Sequence, residues 1–237
     1  FWVTLNEPTS VIANSYLRGI WPPQKKSLFK SIRVYKILAS AHREAYEAIH
    51  EINHNAQVGF GNIISYIEPN SRSFLDIFST KIRIFWSNKY FLKLTGNTHD
   101  YLALQYYFHS KITFPQKLTN DNKWTSDLGW EIYPEGIYHV IKSFSKYKKP
   151  IYITENGLAD AKDIHREKFI KEHLEWVSKA IAEGENVRGY FHWSLLDNFE
   201  WDKGFWPRFG LVEVDYKTME RKIRPSAYAL TKIIKGL

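Results

Sequence analysis

Three apolar runs in the 237-residue sequence end in clusters of acids and amides. Val3-Thr4-Leu5 leads into Asn6-Glu7-Pro8, and Ile151-Tyr152-Ile153-Thr154 leads into Glu155-Asn156-Gly157. Gly189-Tyr190-Phe191-His192-Trp193 runs into a stretch that closes on Glu200-Trp201. Carboxyls carried to one place by different strands can divide acid, base and nucleophilic work, provided their surroundings push their protonation states apart. Either glutamate alone would read as decoration of a strand end. Two Glu/Asn neighbours at matching ends, beside a third strand rich in Trp, read as a site. Trp193 and Trp201 offer apolar faces, while Asn6 and Glu200 offer hydrogen-bonding edges. Paired carboxyls with aromatic platforms are the equipment of glycoside hydrolysis.

Such residues meet only if the strands that carry them run side by side in one direction. Helical and strand patterns do alternate along the chain. The spacing predicts a helix from Leu28 to about Asn53, with Val34, Leu38, Ala41, Ala45, Ile49 and Ile52 on one face. Gln57 to Ile64 reads as a buried strand whose Gly59 and Gly61 admit close approach of other backbone. Ser73 to Leu94 predicts a helix stopped by Gly96, and Asp100 to Phe108 a strand. Pro134 opens a helix reaching Tyr147, with Ile137, Val140, Ile141 and Phe144 aligned. Pro150 to Thr154 reads as a strand, and Arg166 to Ala182 as a helix burying Ile170, Leu174, Val177 and Ile181. Val187 to Trp193 is a further strand and Pro225 to Lys235 a closing helix. This alternation calls for an α/β fold with a parallel sheet under helices, either a barrel or an open doubly wound sheet. About five strands are too few to close an eight-stranded barrel. With no linker or low-complexity stretch, residues 1–237 read as a single domain.

Composition narrows the function classes. Hydrophobic residues at 44% and charged residues at 24% describe a folded globular chain. The absence of Cys excludes disulfides, thiolate metal sites and cysteine nucleophiles. The net charge of +8 is scattered, with Lys25-Lys26 and Lys148-Lys149 at turns or helix ends, so a solvated surface is expected rather than nucleic-acid binding. No run of about 18 apolar residues occurs, so no membrane partner is expected. No motif asks for a cofactor. His50-Glu51-Ile52-Asn53-His54 spells a zinc-peptidase pattern, but it falls at a helix end with no third ligand nearby, and no metal is expected. The compartment is open, with the cytoplasm favoured.

The same residues carry a family resemblance. Thr4-Leu5-Asn6-Glu7-Pro8, Tyr152-Ile153-Thr154-Glu155-Asn156-Gly157 and Trp193-Ser194-Leu195-Leu196-Asp197-Asn198-Phe199-Glu200-Trp201 resemble the signature segments of glycoside hydrolase family 1, the retaining β-glucosidase/β-galactosidase family. Trp130-Glu131-Ile132-Tyr133-Pro134-Glu135-Gly136 and Arg208-Phe209-Gly210-Leu211 resemble it too, in order along nearly the whole chain.

The resemblance implies a (β/α)8 barrel of which this chain supplies roughly the fourth to eighth β/α units, the N-terminal part lying outside the sequence. It implies hydrolysis of terminal β-D-glycosyl residues by double displacement, with Glu155 as the nucleophile and Glu7 as acid and then base. Asn6 would bond the 2-hydroxyl, Tyr107 would orient Glu155, and Trp193 would floor the cleaved sugar. Glu200 and Trp201 would grip the outer hydroxyls, and Trp130 would face the leaving group. Gln105 departs from the family's usual Asn before the Tyr pair, so the hydrogen bonding beside Glu155 is expected to differ. The expected partners are a β-glycoside or small oligosaccharide, and an N-terminal half of the barrel or a second copy of the chain. The competing expectation is a non-catalytic, carbohydrate-binding half-barrel.

Overall fold

The computed structural model describes residues 1–236. Strand β1 (Trp2–Asn6) is followed by helix α1 (Pro8–Ile12), a π-helical turn through Arg18 and the long helix α2 (Leu28–Ile52). Next come β2 (Val58–Ile63), β3 (Tyr66–Pro69), α3 (Phe74–Ile84), a π-helical turn over Phe85–Lys89 and α4 (Tyr90–Thr95). Then β4 (Leu102–Gln105), β5 (His109–Thr113), β6 (Lys117–Leu118) and α5 (Glu135–Phe144) lead to β7 (Ile151–Gly157). The chain ends with α6 (Arg166–Ala182), β8 (Val187–Trp193), β9 (Val212–Val214), β10 (Arg221–Ile223) and α7 (Pro225–Lys235).

Strands β1, β2, β4, β7 and β8 form one all-parallel sheet in that spatial order. Order in space follows order in the chain, with helices between successive strands. A doubly wound sheet reverses its order at a switch point, and this sheet does not. The fold is therefore a run of five β/α units of a (β/α)8 barrel.

The main core lies between the sheet and its helices. Leu102 and Leu104 of β4 and Ile151 and Ile153 of β7 meet Tyr35, Phe91, Ile141 and Val177 from α2, α4, α5 and α6. Burying an aliphatic side chain of this size is worth about 1.5–3 kcal/mol each. Local signals close the elements: the Ser27 hydroxyl accepts from the Lys30 N–H at the start of α2, and Gly96 ends α4 at φ 64°.

Helix α2 spans the predicted residues but is rolled from the predicted face. Ser31, Tyr35, Ala39 and His42 are buried, while Ala41 and Ile52 are exposed. His42 explains the roll. Its Nε2 lies 2.5 Å from the Thr98 carbonyl and its Nδ1 2.5 Å from the Thr4 hydroxyl, so the ring bridges β1 and the loop before β4. In α6, Phe169 and His173 are buried where Ile181 was expected. Gly59 and Gly61 are approached by side chains rather than backbone. A Cβ on Gly59 would lie 2.9 Å from the Tyr101 ring, and one on Gly61 2.7 Å from Asn6 Oδ1. The single strand expected over Asp100–Phe108 breaks after Gln105, and β5 joins a separate sheet with β3 and β6. Those strands are two to five residues long, and the β9–β10 hairpin is equally brief, so no periodic pattern long enough to read marked them in the sequence. No helix of the described residues is long and apolar enough to cross a membrane.

Candidate active site

Strict alternation along β7 would send Glu155 to the same face as Ile151 and Ile153, toward the helices. The ladders on both sides of β7 break their register just before it, between Leu104 and Gln105 on one side and between Ile153 and Asn156 on the other. Irregularities of this kind re-aim a side chain. Glu155 turns to face Gln105, its partner across the ladder, while Asn156 takes the helix-facing place and is fully buried. The Asn156 amide donates to the Tyr106 carbonyl at 2.7 Å and accepts from the Tyr190 hydroxyl at 2.8 Å. Gly157 completes the motif because β8 passes so close that a Cβ there would fall 1.8 Å from the Trp193 carbonyl oxygen.

Two donors converge on the Glu155 carboxylate. The Gln105 amide reaches Oε1 at 2.5 Å and the Tyr107 hydroxyl reaches Oε2 at 2.9 Å. The same Gln105 nitrogen lies 2.7 Å from Asn6 Oδ1, so one amide links the ends of β1, β4 and β7. Glu7 follows Asn6 in the left-handed region, φ 45° and ψ 53°, where the strand turns into α1. A non-glycine residue held there costs roughly 1–2 kcal/mol. The Glu7 N–H donates to the Gly61 carbonyl at 2.8 Å and its carbonyl accepts from Val11, which fixes the turn from both sides.

The electrostatics tie three carboxyls together. Burial pushes Glu155 up to about 7, and the charge of Glu7 adds to that push, against the hydrogen bonds of Tyr107 and Gln105. Glu7 is raised by burial, held back by the Ser10 hydroxyl and pushed further by Glu200. Glu200 is raised by burial against the Asn198 amide, which donates to it at 3.0 Å. Burial and these same acids hold the Tyr107 hydroxyl well above its ordinary range, so it stays a donor.

Aromatic rings border the acids. Trp130 stands edge-on to Tyr107 at 6.0 Å and packs on Phe108 at 4.7 Å. Trp193 is the partner of Gly157 across the β7–β8 ladder. The loop beyond it is pinned by the buried Asp197, which accepts from Arg208, Arg224 and the Gly210 and Val214 N–H groups. Burial pushes the Asp197 carboxyl up, but the Arg224 and backbone hydrogen bonds outweigh it and hold the acid below its ordinary value.

All eight residues singled out from sequence, Asn6, Glu7, Tyr107, Trp130, Glu155, Trp193, Glu200 and Trp201, thus border one end of the sheet. Two contributors had no sequence signal. Trp21 stacks on Trp201 at 4.7 Å and 19°, and its indole N–H donates to Asp202 at 2.8 Å. His109 sits between Glu131, at 2.6 Å, and Glu68, at 3.2 Å, and so steadies the segment beside Trp130. The zinc-peptidase pattern comes apart: His50 hydrogen-bonds Asp100 at 2.9 Å, and His54 lies past the end of α2. Among the described residues no group of three or more His, Asp or Glu side chains could hold a metal ion.

The model of glycosyl hydrolase family 1 matches residues 1–106 and 99–236. A beta-galactosidase of Pyrococcus woesei is 32% identical over 98% of this chain and 57% of its own length. Beta-glucosidase A of Thermotoga maritima is 31% identical over 99% of this chain and 63% of its own. Among solved structures, a beta-glycosidase from Pyrococcus horikoshii superposes with a TM-score of 0.89 at 38% identity, covering 95% of this chain and 58% of that one. The family 1 β-glucosidase from Thermotoga maritima gives 0.90 at 29% identity, covering 99% and 63%. The chain spans somewhat more than half the length of the relatives it matches.

Proposed function

This chain belongs to glycosyl hydrolase family 1, and we propose that its clustered acids serve a retaining β-glycosidase acting on unphosphorylated β-glucoside- or β-galactoside-type substrates. The observation that carries the reading is the unequal support of two neighbouring carboxyls. Glu155 receives two side-chain donors, whereas Glu7 has only the Ser10 hydroxyl to favour its anion. Burial raises both acids and the charge of Glu7 opposes that of Glu155, so the pair shares one proton, and the donors on Glu155 favour the negative charge there. Glu7 then holds the proton.

In the first step Glu155 attacks the anomeric carbon while Glu7 passes its proton to the departing glycosidic oxygen. The bond to the leaving group breaks as the glycosyl ester forms. Ester formation removes the charge of Glu155, and because repulsion between the two acids is mutual, Glu7 becomes the stronger acid. Its anion then takes a proton from water, whose oxygen opens the ester and frees the sugar with its anomeric configuration retained. Asn6 bonds the 2-hydroxyl, Tyr107 and Gln105 aim the nucleophile, and Trp193 floors the sugar. Glu200 and Trp201 bind the outer hydroxyls, and a carboxylate at Glu200 repels a 6-phosphate. Trp130 faces the leaving group.

A second reading rests on the sheet edges. β2 and β4 are buried, whereas Trp2 and Val3 of β1 and Phe191 of β8 are at least half exposed. Eight-stranded barrels have no such edges. On this reading the 237 residues bind sugar but turn it over only when the remaining β/α units complete the barrel. Hydrolysis of a nitrophenyl β-glucoside by the purified chain separates the two. Turnover lost in Glu155→Gly and restored by azide or formate supports the catalytic roles. A folded, sugar-binding Glu155→Gly variant that no small anion rescues would overturn the role of Glu155. A wild-type chain that turns over only after a fragment carrying the other units is added supports the divided site.

A further inference from the structure

We propose that the end of the sheet opposite the acids holds a binding site for a compact, multiply charged anion of the phosphate type. A cavity of about 360 Å³ opens there, between the π-helical turn at 85–89, α4 and the two loops that enter β4 and β7. Lys89, Lys93 and Lys149 line it together with Phe85, Tyr147 and His99. A fourth ammonium stands close by, Lys146, whose Nζ lies 5.2 Å over the Tyr147 ring. Burial and then the charge of Lys146 push Lys89 below its ordinary value, which places the two cations within reach of each other's field.

Among the described residues no carboxylate answers this charge, although the Lys93 ammonium lies 5.9 Å over the Phe85 ring. Elsewhere lysines find carboxylates: Lys111 pairs with Asp121, Lys142 with Glu185 and Lys203 with Asp202. Among the described residues none of these four lysines has such a partner. Lys149 is held in place by donating to the His99 carbonyl at 2.7 Å. The His99 ring is buried, and its Nδ1 has no hydrogen-bond partner. Burial, followed by the charge of Lys149, lowers His99 to about 4, so the ring is neutral and free to place a proton toward an acceptor. Like charges gathered in a half-buried recess repel one another, and an anion seated among them removes that repulsion while gaining charge-assisted hydrogen bonds. The volume lies in the lower part of the range for small-ligand pockets, too tight for a polymer and ample for a di- or triphosphate. β4 and β7 are interior strands of the sheet, so both walls of the recess belong to this chain.

The site is independent of the catalytic reading and is tested without substrate. Isothermal titration at low ionic strength would follow inorganic tripolyphosphate binding to the wild-type chain and to Lys89→Gln/Lys93→Gln. A control, Lys25→Gln/Lys26→Gln, loses the same charge from an exposed segment far along the chain. One saturable equivalent is expected, weakened at least about tenfold in the pocket variant and within roughly twofold of wild type in the control. The unliganded pocket variant should melt no lower than wild type, because the repulsion it sheds offsets the one contact it loses, that of Lys93 with the Phe85 ring. Equal weakening in both variants would reduce the effect to the net charge of the chain and overturn the site, as would the lack of a saturable equivalent.

Discussion

At Glu155, burial and a neighbouring acid raise the pKa while two donors lower it, and the raising effects win. The consequence for stability has a definite sign. Glu155 and Glu7 share one proton, and the pair's second ionisation, raised from the ordinary 4.5 to about 7, contributes stability fully present below pH 4.5 and lost as pH rises through 7. Replacing Glu155 with Gln removes that loss. Urea unfolding should therefore find the variant more stable than wild type at pH 8, by at most about 3 kcal/mol, and closer to it at pH 4.5. An unchanged pH slope in the variant would remove Glu155 from the buried-acid account. Sequence spacing located Glu7 and Glu155 because both stand where an apolar run meets Asn and Glu. It did not reveal how Glu155 faces its neighbours, because a register irregularity decides that, and an irregularity depends on two strands at once. Gln105 stood out only as a departure from the family pattern. Its amide reaches Asn6 and Glu155 together, a link that no local pattern encodes.

At the scale of elements, the long periodic segments were legible: α6, β8 and α7 span the residues their patterns predicted. The face of α2 was not, because Tyr35 and His42 point inward for packing and hydrogen bonding that a hydrophobic tally does not weigh. The loop from Ser194 to Lys203 shows the same limit. Its base is held by Asp197 between Arg208 and Arg224, and its tip by Trp21, which arrives from the other end of the chain. Trp201 has φ 46°, a conformation that needs such outside support. Trp21→Ala should free the tip, and Glu200 with it, without touching Glu7 or Glu155. The expected result is a several-fold rise in KM for glycosides, with azide rescue of Glu155→Gly intact in the double variant. An unchanged KM would mean that the Trp201 loop holds its shape without the stack.

For the whole molecule, the decisive feature is the contrast between strands of one sheet. β2 and β4, flanked on both sides, bury nearly every residue, while β1 and β8 leave backbone edges and Trp2, Val3 and Phe191 open. An exposed, apolar parallel edge is a template for pairing with another chain. The scattered +8 charge opposes association over long range, but salt screens it beyond about 8 Å at physiological ionic strength. The edges should therefore win as salt rises. Sedimentation velocity on these 237 residues should show association that grows with both protein and salt concentration. Lys in place of Val3 and Phe191 should suppress it, since a charged edge resists pairing. If the wild-type chain stays monomeric at tens of micromolar in high salt, the edges are satisfied within the chain and the divided-barrel reading loses its footing. If association appears and a fragment bearing the remaining β/α units abolishes it while turnover rises, the same edges that drive association are those that complete the site.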